Sequence, residues 1–186
     1  MMFKHFLTSA NESNAFILAC DETREALLVD VGEFEPAIAA CIQTNRLTLA
    51  SIFITHDHYD HTGGLRDAVE RYSARVFAGS PHPGGCRAIQ VGHGDTIRVG
   101  ALAGRVLATP GHTPDALSLA FPGMVFTGDA LFAGSVGGTA SPALARQQLD
   151  AIRNHIFSLP ADTEIHTGHG PSSTVAIESR YNPFFV

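Results

Sequence analysis

"FITHDHYDHTGG", residues 53–64, places three histidines and two aspartates within the six positions from His56 to His61. With ten histidines and ten aspartates in 186 residues, the pattern His-x-His-x-Asp-His is expected about 0.0015 times by chance in a chain of this length. The run follows "LTLASIFI" (47–54), an apolar, β-branched stretch that reads as a buried strand. In an extended His56-x-His58 pair both side chains leave the backbone on the same side, so both reach one ion, while Asp60 and His61 just beyond reach a neighbouring one. Neutral imidazole and carboxylate suit zinc, iron or manganese, and a centre with three or four protein ligands keeps a position open for water.

Working outward, three more segments end on a ligand type beside glycine: "TPGHT" with His112, "FTGDA" with Asp129 and "TGHGP" with His169. Glycine permits the tight turns that bring such side chains back toward a common point. Any one of these alone is an ordinary turn; together with the cluster they make seven candidate ligands.

The surrounding pattern supplies the scaffold. "FKHFLTS" (3–9), "NAFILAC" (14–20) and "EALLVDVG" (25–32) read as a three-stranded meander, and "EPAIAACIQTN" (35–45) carries Ile38, Cys41 and Ile42 at helical spacing. "TGGLRDAVERY" (62–72) is a helix with Leu65, Ala68, Val69 and Tyr72 on one face. Strand-like runs follow at 74–79, 95–100, 102–109, 115–121 and 123–129. "SPALARQQLDAIRNHIFSLP" (141–160) is the longest expected helix, capped by Ser141 and Pro142, with Leu144, Leu149, Ile152 and Ile156 as its buried side. Strands in two groups with helices outside predict an α+β chain, an αββα four-layer sandwich, forming a single domain over residues 1–186.

Composition narrows the function. Hydrophobic residues make up 45% and charged ones 16%, as in a compact enzyme, and the formal charge of −6 with no basic run argues against nucleic acid or an anionic membrane as partner. A small-molecule substrate is expected instead. Cys20, Cys41 and Cys86 form no Cys-x-x-Cys pair and are expected to be reduced and buried. The N-terminus lacks the apolar run of a signal peptide and no stretch approaches the roughly 18 apolar residues of a membrane span, so a cytoplasmic location is expected. Of the other histidines, His166 is assigned to packing or to support behind the ligands, His5, His93 and His155 to structure or solvent, and His82 to an exposed loop. Asp57 is expected to orient a loop.

The ordered motifs "THDHYDH", "TPGHTPD", "FTGDALF" and "TGHGP", with the "ESRYNPFF" ending, resemble the metallo-β-lactamase superfamily, and within it the glyoxalase II (hydroxyacylglutathione hydrolase) branch with the related persulfide dioxygenases. The resemblance implies two divalent metal ions, zinc first with iron and manganese as alternatives. His56, His58 and His112 would hold one, Asp60, His61 and His169 the other, with Asp129 bridging and Asp60 also orienting the attacking hydroxide. It further implies hydrolysis of thioesters such as S-2-hydroxyacylglutathione, or of related esters. The alternative is a persulfide dioxygenase with a single iron on His56, His112 and Asp129. A thiolate leaves readily because thiols have a pKa near 8.5, so no strong general acid is needed for thioester cleavage.

Two departures concern the substrate. Full-length glyoxalase II enzymes carry a further C-terminal helical region that helps hold glutathione, whereas this sequence stops at Val186. Within "SVGGTAS" (135–141), Gly138 stands where the family usually has lysine or arginine for the glutathione carboxylate, and Ala140 where an aromatic residue is usual. Weaker glutathione binding is expected, with the metal chemistry intact.

Overall fold

The computed structural model describes residues 1–186. Six strands, β1 (Met2–Leu7), β2 (Asn14–Ala19), β3 (Glu25–Val29), β4 (Thr48–Phe53), β5 (Arg75–Ala78) and β6 (Ile89–Gln90), form one sheet in that order. The first three are antiparallel, the expected meander, and the remainder pair in parallel through helical crossovers. These crossovers hold α1 (Pro36–Thr44), the short α2 (Tyr59–Thr62) and α3 (Leu65–Tyr72).

The second sheet is built from β7 (Thr96–Val99), β8 (Leu102–Ala108), β9 (Leu117–Phe121), β10 (Met124–Gly128), β13 (Glu164–Thr167) and β14 (Ser173–Thr174). Its order is β14-β13-β10-β9-β8-β7, and only β10 and β13 run parallel. A small hairpin, β11 (Leu131–Phe132) with β12 (Ser135–Val136), projects beyond β10 and leads to α4 (Pro142–Ala151); α5 (Val175–Tyr181) closes the chain.

Period-two alternation divides the apolar residues between layers. In β2 and β3, Phe16, Leu18, Leu27 and Val29 face the second sheet and meet Leu119, Phe121 and Phe126, while Ala15, Ile17, Ala26 and Leu28 face Ile38 and Ile42 of α1 and Leu65 of α3. On the far side, Leu107, Ala120, Val125 and Ile165 pack against Ile152, Ile156 and Val175. Three apolar layers between four layers of structure are the expected αββα sandwich. No helix is long and apolar enough to cross a membrane.

Just beyond the extended His56-x-His58 pair, Asp60 and His61 ride on the helical turn α2. Several local expectations are corrected. The regular part of the long helix ends at Ala151 and continues as a wider π-type turn over Ile152–Ile156, in which the Phe157 N–H donates to Ile152 O at 3.0 Å. Its buried residues are Gln148, Ile152 and Ile156; Leu144 and Leu149 are only half-buried, because Gln148 instead donates to the carbonyls of Ala130 and Gly137, both at 3.0 Å. Of the three reduced cysteines only Cys20 is buried.

Candidate metal centre

The ligand-type side chains gather where strands of both sheets end. His56, His58 and the α2 residues follow β4; His112 follows β8; Asp129 follows β10; His169 follows β13. All seven sequence-derived candidates come together. The ligand atoms of His56, His58 and His112 lie within 4.8 Å of one another, as do those of Asp60, His61 and His169, and those of His56, His61 and Asp129. His58 Nδ1 is 3.1 Å from His56 Nε2 and 3.1 Å from His112 Nε2. A tetrahedral ion with metal–nitrogen bonds near 2.0–2.1 Å needs ligand atoms roughly 3.3 Å apart.

Asp129 connects the two groups. Its Oδ1 is 3.3 Å from His61 Nε2, and its Oδ2 is 3.7 Å from His112 Nε2 and 3.6 Å from His169 Nε2. On the other side, Asp60 Oδ2 lies 3.3 Å from His169 Nε2 and accepts from Asn11 Nδ2 at 3.1 Å. His56, His61 and Asp129 are buried, Asp60, His112 and His169 half-buried, and His58 exposed, so the centre opens on the His58 side.

Partners behind the rings fix which nitrogen faces inward. Thr55 Oγ1 donates its only proton to Asp30 Oδ2 at 2.8 Å, so toward His56 Nδ1, 3.1 Å away, it accepts. His61 Nδ1 donates to Asp30 Oδ2 at 3.0 Å, and His112 Nδ1 donates to Gly138 O at 2.7 Å. In each ring the Nε2 lone pair is left for the centre, the usual outer-partner arrangement of metal-binding histidines. His61 Nε2 and Asp129 Oδ1 are fully buried with no hydrogen-bond partner. Such orphaned acceptors are costly unless something compensates them, and a cation between the rings and the carboxylate would do so. The donor set fits zinc or iron.

The electrostatics agree. Burial, aided by the neighbouring His61 charge, pushes His56 down to about 2, so its ring is neutral. Burial opposes ionisation of Asp129, but His61, His56 and His169 outweigh it and hold the carboxyl at about 2. His61 is opposed by burial as well, yet Asp30 and Asp129 on either side push it up to about 10, so a proton on Nε2 takes the place between His61 and Asp129 that a cation would otherwise take. The site demands positive charge between His61 and Asp129.

Asp30 is the functional residue that the motif reading missed. It is buried at the end of β3, holds a left-handed backbone at φ 55°, and accepts from Thr55 N and Oγ1 and from His61 Nδ1. Strain of this kind persists where the surroundings over-determine the conformation. Asp30→Ala is expected to weaken metal retention about 10- to 100-fold, measured by chelator competition; unchanged affinity would show that His61 keeps its orientation without a carboxylate.

Other expectations fall out individually. Asp57 orients a loop, accepting from Gly84 N at 2.8 Å while its own N–H donates to Asp115 Oδ2 at 3.1 Å. His166 is buried against Phe3, Phe16 and Phe126 and bonded to Ser172 Oγ, so it packs outside the ligand groups. His82 is exposed.

The family model of the metallo-beta-lactamase superfamily matches residues 9–84, which include the His56–His61 cluster. The hydroxyacylglutathione hydrolase of Gloeobacter violaceus is 32% identical over 173 residues, covering 90% of this chain and 68% of that protein. The chain belongs to the metallo-β-lactamase superfamily. Among solved superfamily structures, ETHE1 from Myxococcus xanthus is 35% identical with a TM-score of 0.86, covering 98% of this chain and 84% of that one. The BLEG-1 B3 metallo-beta-lactamase is 28% identical with a TM-score of 0.87, each chain covered completely. Against curated hydroxyacylglutathione hydrolases the chain spans 57% to 68% of their length.

Proposed function

We propose that the protein is a dinuclear metal-dependent hydrolase of thioesters or related esters. The observation that supports this most is Asp129 standing between two ligand groups, with one carboxylate oxygen toward His61 and the other toward His112 and His169. His56, His58 and His112 would hold one divalent ion and Asp60, His61 and His169 the second, with zinc or iron fitting the donor set. When bound, such a pair supplies a water of lowered pKa and Lewis acidity toward the attacked carbonyl and its developing oxyanion.

The chain's own residues do the positioning. Asp30 and Thr55 hold the His56 and His61 rings, Gly138 O holds His112, and Asn11 holds Asp60. No cysteine belongs to any of the ligand groups, and the reading takes water as the attacking group. The exposed His58 side admits substrate, and a departing thiolate needs no proton donor. The reading is tested by metal analysis and by anaerobic turnover of a thioester panel. About two ions per chain with oxygen-independent cleavage supports it. One iron per chain with oxygen uptake on glutathione persulfide would replace it by the dioxygenase reading, which needs only His56, His112 and Asp129.

Substrate choice turns on Gly138. It is exposed, and a side chain there would meet nothing within 4 Å, so a basic residue fits without strain. Gly138→Arg is expected to lower KM for S-lactoylglutathione about tenfold to a hundredfold through a new charge-assisted contact, with kcat for a small neutral thioester nearly unchanged. A low KM before the substitution, unaffected by it, would mean that another residue meets the peptide carboxylate.

A further inference from the structure

A cavity of about 380 Å³ lies at the opposite end of the second sheet from the candidate metal centre, between the outer face of β8 and β9 and the π-type turn after α4. Its rim includes Pro122, Gly123 and Thr163, which precede β10 and β13, whereas Asp129 and His169 follow them. The length of β10 separates the two places, about 16 Å. None of the lining residues belongs to the ligand groups.

Its chemistry is distinct. Among 14 lining residues there is no aspartate or glutamate, but there are Arg105, His93 and His155. Arg105 forms no ion pair. The two imidazoles lie 4.2 Å apart between centroids, tilted by 37°, and the Ala108 N–H donates to His93 Nδ1 at 3.3 Å, which leaves the His93 proton on Nε2. Thr163, 2% exposed, closes one end of the cavity. Leu107, Ala120 and Leu159 give it an apolar floor.

We propose that this cavity binds a small organic anion, a carboxylate or phosphate carried on an apolar body. A free guanidinium takes an oxyanion in a two-pronged hydrogen bond, the His93 imidazole N–H supplies a further donor, and the floor receives the body. On a chain of net charge −6 an acid-free basic pocket attracts anions locally, against the overall field. The π-type turn gives the pocket one of its walls and sets His155 beside His93. Burial first, and then the neighbouring His93 and Arg105, push His155 below its ordinary value.

The test is an NMR titration of the metal-loaded full chain at fixed sodium chloride with phenyl phosphate, benzoate and inorganic phosphate, following the His93 and His155 ring signals and the Ala108 amide. These signals report on the cavity even if the probes also reach the metal centre. Saturable shifts are expected with at least one aromatic probe, which binds about tenfold more tightly than inorganic phosphate because it buries its ring. The stronger aromatic probe tells a phosphate preference from a carboxylate one. Arg105 is exposed, so Arg105→Gln leaves the fold alone and should weaken binding at least about tenfold. The proposal is overturned by any of three results: no saturable shift up to about 20 mM probe, unchanged affinity in Arg105→Gln, or inorganic phosphate binding as tightly as phenyl phosphate.

Discussion

Asp60→Ala is expected to leave about one metal equivalent per chain where the proposed dinuclear centre takes about two, and to lower kcat/KM for a thioester by about a thousandfold. The geometry separates the two groups at this residue. Asp60 Oδ2 lies 3.3 Å from His169 Nε2 and is held by Asn11, whereas the ligand atoms of His56, His58 and His112 gather without it. Removing the carboxylate therefore strips one group and spares the other. Asp60 is half-buried on a short helical turn, so the substitution opens no core cavity, and an unchanged melting temperature for the metal-free protein would confirm that. Asn11→Ala, which removes only the support, should cost far less. If Asp60→Ala holds only one equivalent and still keeps full turnover, one ion suffices and the dinuclear reading fails.

How much of this was legible in the sequence depended on distance along the chain. His56, His58, Asp60 and His61 announce themselves because strand and turn geometry act over two to five residues, and the glycine-flanked His112, Asp129 and His169 share a local signature. The two-sheet layering was legible too, since alternation in β2, β3, β9 and β10 survives into the apolar layers. Asp30 was not. Its role exists only because parallel pairing of β3 with β4 brings it beside Thr55, 25 positions away, and nothing in "LVDVG" encodes that. Gln148 escaped for a related reason: helical periodicity selects apolar residues, but the first turns of α4 cover loop carbonyls of Ala130 and Gly137, which need a donor. The helix α5 was missed because seven residues are too few to carry a clear period.

Gly168→Ala is expected to destabilise the chain by about 1–3 kcal/mol and to empty both metal groups, through one methyl group. A Cβ at residue 168 would stand 2.1 Å from Asp129 Oδ1 and 2.9 Å from both Gly128 C and His61 Cε1. Two of these three atoms belong to the side chains that face each other at 3.3 Å across the centre, and the third is backbone. Nothing there yields cheaply. His61 is pinned from behind by Asp30, Gly168 N donates to Gly128 O at 2.8 Å, and its own carbonyl accepts from Asn14 N at 2.8 Å, so the methyl must displace the Asp129 carboxylate from the place where it faces His61 and His169. Gly170→Ala is the control: its backbone sits at φ 71°, so alanine is strained, but the added methyl meets nothing within 4 Å. It should cost about 1 kcal/mol and keep its metal. Metal content beside thermal unfolding separates the two variants, since strain alone lowers both melting temperatures while only the collision at Gly168 removes the ions. Retention of two ions and full turnover by Gly168→Ala would show that the Asp129 carboxylate works from somewhere else.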